Sequence, residues 1–562
     1  MIDVFEATGG CLCRPRDRVR SGEKNFRGWV TVLAMPSAAL PQLMSKILAT
    51  VGPACLEPSV LVRLIEEGVR LFRVNFSHGD FADFRKAVEA IRAAAHQSGV
   101  SVGILGDLSG PKIRVTTVEG GALELQRGDH VEFTKREVVA TRDPGNGVVT
   151  VGTTYPAMVD DVEPGQRLLV NDGAIRMLVT DKVGLGDDPA RDGGARRPED
   201  PRLICHVTEG GTLSNKKGVN LPDTHVSAPA LTDWDRKCAA WAVEAGLDFL
   251  ALSFVRKAQD VKQLNELLLS LGRDNRSEHN PARMPIISKL EKPQAIDELD
   301  AILDETDGVM VARGDLGVEM DLAQVPLIQK QIIQRAHDHG KPVIVATQML
   351  ESMIQNYTPT RAEVSDVANA ILDGTDAIML SGETAVGAHP IQAVHTMART
   401  AGLAERYDMD RRAGTTKPPA NLRDSKYRPA ALAHGVSTLV NDLEPAFVVM
   451  WSELGGGVRY LSQNRLGCPI LALSPNPAVL RQMALLYGVW PVYIQRPKNS
   501  SDLLSKVDAC LLEHEWARAG DALVVVKSAP LGTPGVTNTI RIHYVGDVCR
   551  VTWPAKDEEA AE

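Results

Sequence analysis

From Lys46 onward, short apolar runs alternate with longer amphipathic segments. Lys46–Val51, Arg70–Phe76 and Val102–Leu108 are continuous and β-rich, as strands buried on both faces are. Between them Pro58–Gly68 and residues 81–97 repeat at helical period. The alternation predicts strand–helix–strand units, which pair strands in parallel. After residue 112 the rhythm breaks. Up to residue 222 the chain shows short alternating segments, Ala122–Leu125, His130–Phe133, Gly147–Val151, Arg167–Val170, Ile175–Val179 and Leu203–Val207, between Gly, Asp and Pro turns. That is an inserted all-β unit, with Gly184–Asp200 as a solvated loop inside it. The rhythm resumes at Asp233 and predicts strands at Phe249–Phe254, Pro285–Leu290, Gly308–Val311, Pro342–Thr347 and Ala377–Leu380. Three strands before the insertion and five after it make eight, the number that closes a (β/α)8, or TIM, barrel. Residues 406–429, polar and bearing Pro418-Pro419, read as a linker. A separate α/β domain follows, with strands at Ala446–Trp451, Pro469–Leu473, Val489–Ile494, Leu523–Lys527 and Thr539–Val545.

The ends depart from this pattern. Residues 1–43 mix Arg, Gly and Pro around an apolar patch, Trp29–Leu40. Asp3, Glu6, Asp17 and Glu23 are out of character for a transit peptide, and the patch lies late for a signal sequence. The expectation is a disordered extension, with Met44 as the natural beginning, and a disordered tail at Asp557-Glu558-Glu559. The expected organisation is therefore 1–43 extension, 44–112 with 223–405 barrel, 113–222 β insertion, 406–429 linker and 430–562 C-terminal domain.

Composition narrows the function classes. A chain of 562 residues with 44% hydrophobic and 24% charged residues is an ordinary globular protein of several domains. A net charge of −9 argues against general nucleic-acid binding. The eight cysteines include no C-x-x-C pair, so neither a zinc site nor a disulfide framework is indicated, and a reducing cytoplasm fits best. No apolar run is long enough to span a membrane.

The chemistry gathers where predicted strands end. Lys289 and Glu291 follow one strand and Asp315 follows the next. The carboxyl ends of barrel strands carry active sites, and one cation with two carboxylates there suits a divalent metal beside an anionic substrate. A structural salt bridge is the plainer alternative, but two successive strands present their charges at the same end. Arg73, Asn75 and Ser77 alternate onto one face of the second strand, pointing to a polar ligand. The third strand ends Asp107-Leu108-Ser109-Gly110-Pro111-Lys112-Ile113-Arg114, an acid and two bases about a Gly-Pro turn. Thr347 and Ser381 close the last two strands with hydroxyls, fit for hydrogen bonding, proton relay or helix capping. Ser452-Glu453-Leu454-Gly455-Gly456-Gly457 follows a strand and opens a helix, a loop type that binds phosphate through backbone N–H groups.

Together these segments resemble pyruvate kinase, from about Lys46 to Arg550. The most specific matches are Asn75-Phe76-Ser77-His78-Gly79, Ile287-Ser288-Lys289-Leu290-Glu291, the run from Met310 to Glu319, Ala346-Thr347-Gln348-Met349-Leu350-Glu351-Ser352-Met353, and Lys216-Lys217-Gly218-Val219-Asn220-Leu221-Pro222. The resemblance implies a barrel, a β lid inserted after the third strand and a C-terminal regulatory domain. It implies transfer of the phosphoryl group of phosphoenolpyruvate to ADP, in a homotetramer. Glu291 and Asp315 would bind Mg2+ or Mn2+, and Lys289 would stabilise the transferring phosphoryl. Arg73 would hold the phosphate, with Thr347 and the Gly314 backbone on the substrate carboxylate. Asn75, His78, Arg114 and Lys217 would face the nucleotide, and Thr347 or Ser381 would pass the proton.

Two places depart from the family pattern. Potassium-dependent members carry Glu after Gly-Pro; here the residue is Lys112, beside the otherwise intact potassium ligands Asn75, Ser77, Asp107 and the Leu108 carbonyl. Its ammonium could supply the charge of K+ and repel that ion, so K+ independence is expected. The loop with Ser452, Gly455, Gly456 and Gly457, closed by Thr533, Thr537 and Asn538, is expected to take a phosphorylated effector, a sugar or nucleotide monophosphate. Lacking a basic cluster, it is a poor match for fructose bisphosphate. The competing readings are a metal-dependent barrel that makes or breaks C–C bonds of pyruvate-like acids, and a catalytically dead metabolite sensor. Lys289 and the lid-exit lysines oppose the first, and the intact Lys289, Glu291, Asp315 and Thr347 oppose the second.

Overall fold

A computed structural model of the chain describes residues 43–184, 201–275, 280, 282–412, 428–531 and 536–547. The expected extension before Leu43, the loop at 185–200, the middle of the linker, Thr533 and the acidic tail lie outside the described residues.

The expected barrel is present. Eight parallel strands close in chain order: Lys46–Thr50, Val69–Asn75, Gly103–Asp107, Phe249–Leu252, Ile286–Leu290, Gly308–Ala312, Val343–Ala346 and Ala377–Leu380. The eighth pairs with the first, Lys46 opposite Ala377. Because side chains alternate faces, each strand sends every second residue inward. Leu48, Leu71, Leu105, Phe249, Ala251, Ile287, Met310, Ile344, Ala377 and Met379 fill the interior. Two residues further along four of these strands come Arg73, Asp107, Ser253 and Lys289. The period that packs the barrel therefore also builds a polar layer at its mouth.

Local signals bound the outer helices. Asp80 caps the helix Phe81–Ser98, accepting from the backbone N–H groups of Ala82 (2.8 Å) and Asp83 (3.0 Å). Gly99, at φ 63°, ends that helix in the left-handed conformation that glycine adopts freely.

The insertion forms a seven-stranded sheet in the order Val219–Asn220, Arg167–Val170, Ile175–Val183, Arg202–Glu209, His130–Thr134, Val149–Gly152 and Thr141–Arg142. A two-stranded ladder, Gly211–Ser214 with Ala122–Leu125, adjoins it. It has its own core, including Val131, Phe133, Val151 and Met177. The two passages joining it to the barrel run together, with Val219 N–H donating to the Ile113 carbonyl at 2.9 Å.

The C-terminal domain is a five-stranded sheet in the order Val489–Tyr493, Ile470–Ser474, Phe447–Trp451, Ala522–Lys527 and Thr539–Tyr544, the last strand antiparallel to its neighbour. It packs on the barrel floor. Lys46 Nζ donates to Val489 O (2.9 Å), and Arg481 Nε pairs with Asp248 (2.7 Å). Leu485 enters the cluster that fills the barrel interior. A Cβ on Gly103 would lie 2.9 Å from the Arg481 carbonyl oxygen, so only glycine permits this approach.

Three expectations need correction. The fourth strand stops at Leu252 and the seventh at Ala346, because Phe254 and Thr347 turn to positive φ (54° and 69°) and leave the ladder. The linker does not begin at 406: the helix Pro390–Arg412 runs on through that point, and another helix, Arg428–Leu443, already covers 428 and 429. The short lid strands Thr141–Arg142, Gly211–Ser214 and Val219–Asn220, too short and polar to show a period, were not anticipated.

Candidate active site

The polar layer at the barrel mouth is one ion network. Lys289 Nζ lies 2.8 Å from Glu291 Oε1 and 3.4 Å from Asp107 Oδ1, and donates to Ser253 Oγ at 2.9 Å. Arg73 Nε donates to the other Asp107 oxygen at 2.6 Å, and Arg73 Nη1 reaches Thr50 Oγ1 at 3.2 Å. Thr50, Arg73, Asp107, Ser253, Lys289 and Glu291, on or just past the ends of the first five strands, thus meet in one place.

Burial and charge oppose each other here. Burial works against the Lys289 ammonium, but Asp107 and Glu291 outweigh it and push its pKa up. Burial also opposes the Asp107 carboxylate, but Lys289 and Arg73 outweigh it and hold its pKa down. For Glu291 burial prevails: its pKa is raised against the pull of Lys289, and the negative charge of Asp315 adds to the rise. Lys289 is therefore a fixed cation.

Glu291 and Asp315 form a pair of neighbouring carboxylates with unfavourable mutual charge. Glu291 Oε2 is oriented by the Phe254 N–H at 2.8 Å. Asp315 opens the short helix Arg313–Glu319 and faces a cleft with Lys112, Asn220 and Lys292. Two neighbouring carboxylates, one of them facing the cleft, suit a hard divalent cation such as Mg2+.

The seventh strand ends in a strained turn, Thr347 at φ 69° followed by Gln348 at φ 54°. Arg313 holds it: Nη2 donates to the Thr347 carbonyl (2.7 Å) and Nε to the Ala346 carbonyl (3.3 Å), while Nη1 is anchored on Asp366 (2.7 Å). The turn aims Thr347 Oγ1 at the Gly314 N–H, from which it accepts at 2.7 Å. The two groups expected to share the substrate carboxylate therefore already meet. Ser381 ends the eighth strand, its N–H donating to Glu383 at 2.7 Å.

The structure joins Lys289, Glu291, Asp107 and Arg73 in one network, and Thr347 with Gly314 in another. His78 and Lys112 are exposed. Arg114 lies at the lid root, Nη1 donating to the Lys216 carbonyl at 3.0 Å, with Lys217 beside it. Among the described residues Lys112 makes no hydrogen bond or ion pair with Asn75, Ser77 or Asp107; it lies along the cleft beside Gly218. Its place beside the potassium ligands is thus corrected, because the tight Gly110–Lys112 turn directs it outward. Those ligands have protein partners. Asn75 Oδ1 accepts from Ser77 N–H (3.1 Å), Ser77 Oγ meets Ser109 Oγ (3.1 Å), and the Leu108 carbonyl accepts from Ser253 Oγ (2.7 Å).

In the C-terminal loop, Ser452 Oγ accepts from the Gly455 N–H at 2.9 Å, and Gly455 takes φ 81°. A Cβ on Gly457 would lie 2.3 Å from Met450 Cε and 3.0 Å from Thr537 Oγ1, so this glycine serves packing, with Thr537 close by. Sequence reasoning missed Ser253 and Arg313. For Ser253 the signal existed: it continues the inward alternation of Phe249 and Ala251. For Arg313, which reaches sideways to the next strand, only the fold reveals the role.

Comparison with known proteins gives this geometry a family. Residues 43–394 match the model of the pyruvate kinase barrel domain, and residues 430–543 that of the pyruvate kinase alpha/beta domain. The chain is 40% identical over 502 residues to a pyruvate kinase of Mycobacterium tuberculosis, covering 89% of this chain and 98% of that one. It is 39% identical over 507 residues to one of Corynebacterium glutamicum, covering 90% and 98%. A solved pyruvate kinase structure from Cryptosporidium parvum superposes with a TM-score of 0.78 at 32% identity, covering 90% of this chain and 96% of that one. With a barrel, an inserted lid and a C-terminal domain in the same order, the chain belongs to the pyruvate kinase family, phosphotransferases that pass the phosphoryl group of phosphoenolpyruvate to ADP.

Proposed function

We propose the following division of labour for that reaction. The observation that carries it is the Lys289 ammonium, fixed between Asp107 and Glu291 at the barrel mouth. Phosphoryl transfer spreads charge over oxygens, and a preorganised cation stabilises it without reorganising at the moment of reaction. Lys289 takes the transferring group, and Arg73, already directed by Asp107, holds the phosphate oxygens. Thr347 Oγ1 and the Gly314 N–H part from each other to receive the substrate carboxylate. Asn75, His78, Arg114 and Lys217 line the nucleotide side. Thr347 or Ser381 holds the proton, through water, that reaches the enolpyruvate carbon.

Glu291 and Asp315 are the proposed holders of Mg2+, which when bound would neutralise charge shared by the phosphoryl and enolate oxygens. We place no K+ in the reaction. The support is that Asn75, Asp107 and Leu108 already have donors from the protein itself. The loop at Ser452, Gly455, Gly456 and Gly457, with Thr537 beside it, is the proposed seat of a phosphorylated effector. Family habit makes a cytoplasmic homotetramer the expected assembly.

The test is lactate-dehydrogenase-coupled release of pyruvate from phosphoenolpyruvate, with Mg2+, in tetramethylammonium buffer. ADP-dependent release is expected without KCl. Many-fold activation by KCl would overturn the potassium-free reading. Pyruvate formed without ADP would favour carbon–carbon chemistry at the same metal pair. No release under any condition would favour a sensor. Titration with sugar monophosphates and nucleoside monophosphates addresses the effector loop.

A further inference from the structure

Where the lid returns to the barrel, a buried carboxylate connects parts that the reaction must bring together. Glu319 is 2% exposed and ends the helix Arg313–Glu319, which carries Asp315 in its first turn. Its Oε1 accepts from Asn220 Nδ2, in the lid's exit strand, at 2.7 Å. The same oxygen meets the Lys292 ammonium at 2.5 Å. Lys292 directly follows Glu291, and its ammonium stands 6.0 Å from the centre of the Phe254 ring, whose own N–H orients Glu291. Glu319 Oε2 is buried with no hydrogen-bond partner.

A buried acceptor left open is rare and needs a reason. Here the carboxylate is held from two sides, by the lid and by the residue next to a metal-binding glutamate. A second contact follows the same route. A Cβ on Gly173, in a lid turn, would lie 3.6 Å from Val318 on the same helix. Asn171, in that turn, donates its N–H to Gly218 in the exit passage at 3.0 Å. Moving the lid away withdraws Asn220 and leaves the buried Glu319 charge to Lys292 alone.

We propose that Glu319 is a positioning residue that couples the seat of the lid to the geometry of both metal-binding carboxylates, through its helix to Asp315 and through Lys292 to Glu291. Closing the lid and binding the divalent cation then strengthen each other. Such coupling is reciprocal: metal must hold the lid as firmly as the lid helps the metal. The inference rests on the assignment of Glu291 and Asp315 to the metal.

The first probe is Asn220→Ala, which changes no charge and removes the lid's hydrogen bond to Glu319. Mn2+ affinity is read by titration calorimetry in the presence of phosphoenolpyruvate, without turnover. Amide hydrogen exchange at residues 217–221 is followed with and without Mn2+. Coupling of ordinary size predicts Mn2+ binding weakened about fivefold or more. It also predicts exchange that Mn2+ slows in the wild type and no longer slows in the variant. Lys292→Met is the second arm. Removing a cation near the metal should tighten Mn2+ by charge alone, whereas loss of the joint should weaken it. Unchanged Mn2+ affinity in Asn220→Ala, or tighter binding in Lys292→Met, would overturn the coupling. If wild-type protein bound no Mn2+, or Glu291→Gln bound it equally well, the metal assignment itself would fall and the coupling with it.

Discussion

At the scale of single residues, Lys289 carries the most chemistry and the clearest expectation. Its ammonium has two carboxylates and a hydroxyl about it before any substrate arrives. Lys289→Met should lower kcat by roughly two to four powers of ten, equivalent to about 3–5 kcal/mol of transition-state stabilisation. The KM for phosphoenolpyruvate should move far less, because Arg73 and Thr347, the proposed ground-state contacts, are left in place. Steady-state kinetics decide it, and near-full turnover would remove Lys289 from its role. Lys112 invites a different substitution. It is exposed, so Lys112→Glu should leave the fold intact and place a negative charge at the cleft. Because Lys112 makes no hydrogen bond or ion pair with Asn75, Ser77 or Asp107, the response to KCl should stay that of the parent, and KCl activation gained by the variant alone would show that this position governs the ion.

At the scale of elements, the turn after the seventh strand is the part under load. Two consecutive non-glycine residues at positive φ hold roughly 1–3 kcal/mol of strain each. Arg313, anchored on Asp366, holds the carbonyls of Ala346 and Thr347. Arg313→Met should let the turn relax and misplace Thr347, lowering kcat/KM for phosphoenolpyruvate about tenfold to a hundredfold. Wild-type kinetics in that variant would mean the turn holds itself. The barrel strands were readable in the sequence because fully buried strands are apolar on both faces, and inward alternation carried Arg73 and Lys289 with them. The turn was not readable: Thr347 is β-branched and completes an apolar run, so propensity extends the strand through it. What bends it is a guanidinium from the neighbouring strand's helix, a tertiary contact. The joint at Glu319 escaped for the same reason, since Asn220 lies 99 residues away along the chain.

At the scale of the whole molecule, the barrel floor and the C-terminal domain share a buried cation. Lys46 opens the first strand and bonds across the boundary to Val489 O. Burial, aided by Arg70 and opposed by Glu405 and Asp376, lowers its pKa to about 7. A lysine whose pKa is lower folded than unfolded binds fewer protons in the native state between those two values, so stability rises with pH there. From about pH 7 to pH 10 the Lys46 contribution should therefore grow, and below pH 7 the cost of burying its charge is fully present. Thermal midpoints across that range should climb less steeply in Lys46→Met than in the parent. Parallel curves would show that Lys46 titrates in the native protein much as it does in the unfolded chain.

The barrel interior is closed at its floor by Leu485, a side chain the barrel's own sequence does not supply. The catalytic body is thus not a vessel with a detachable base. A lineage that exchanged the C-terminal domain for another would have to bring a stopper of similar size to the same spot, or open an oily shaft to water. Modularity in this architecture is limited at that leucine, and heredity of the two domains is tied more tightly than the stretch of chain between them would suggest.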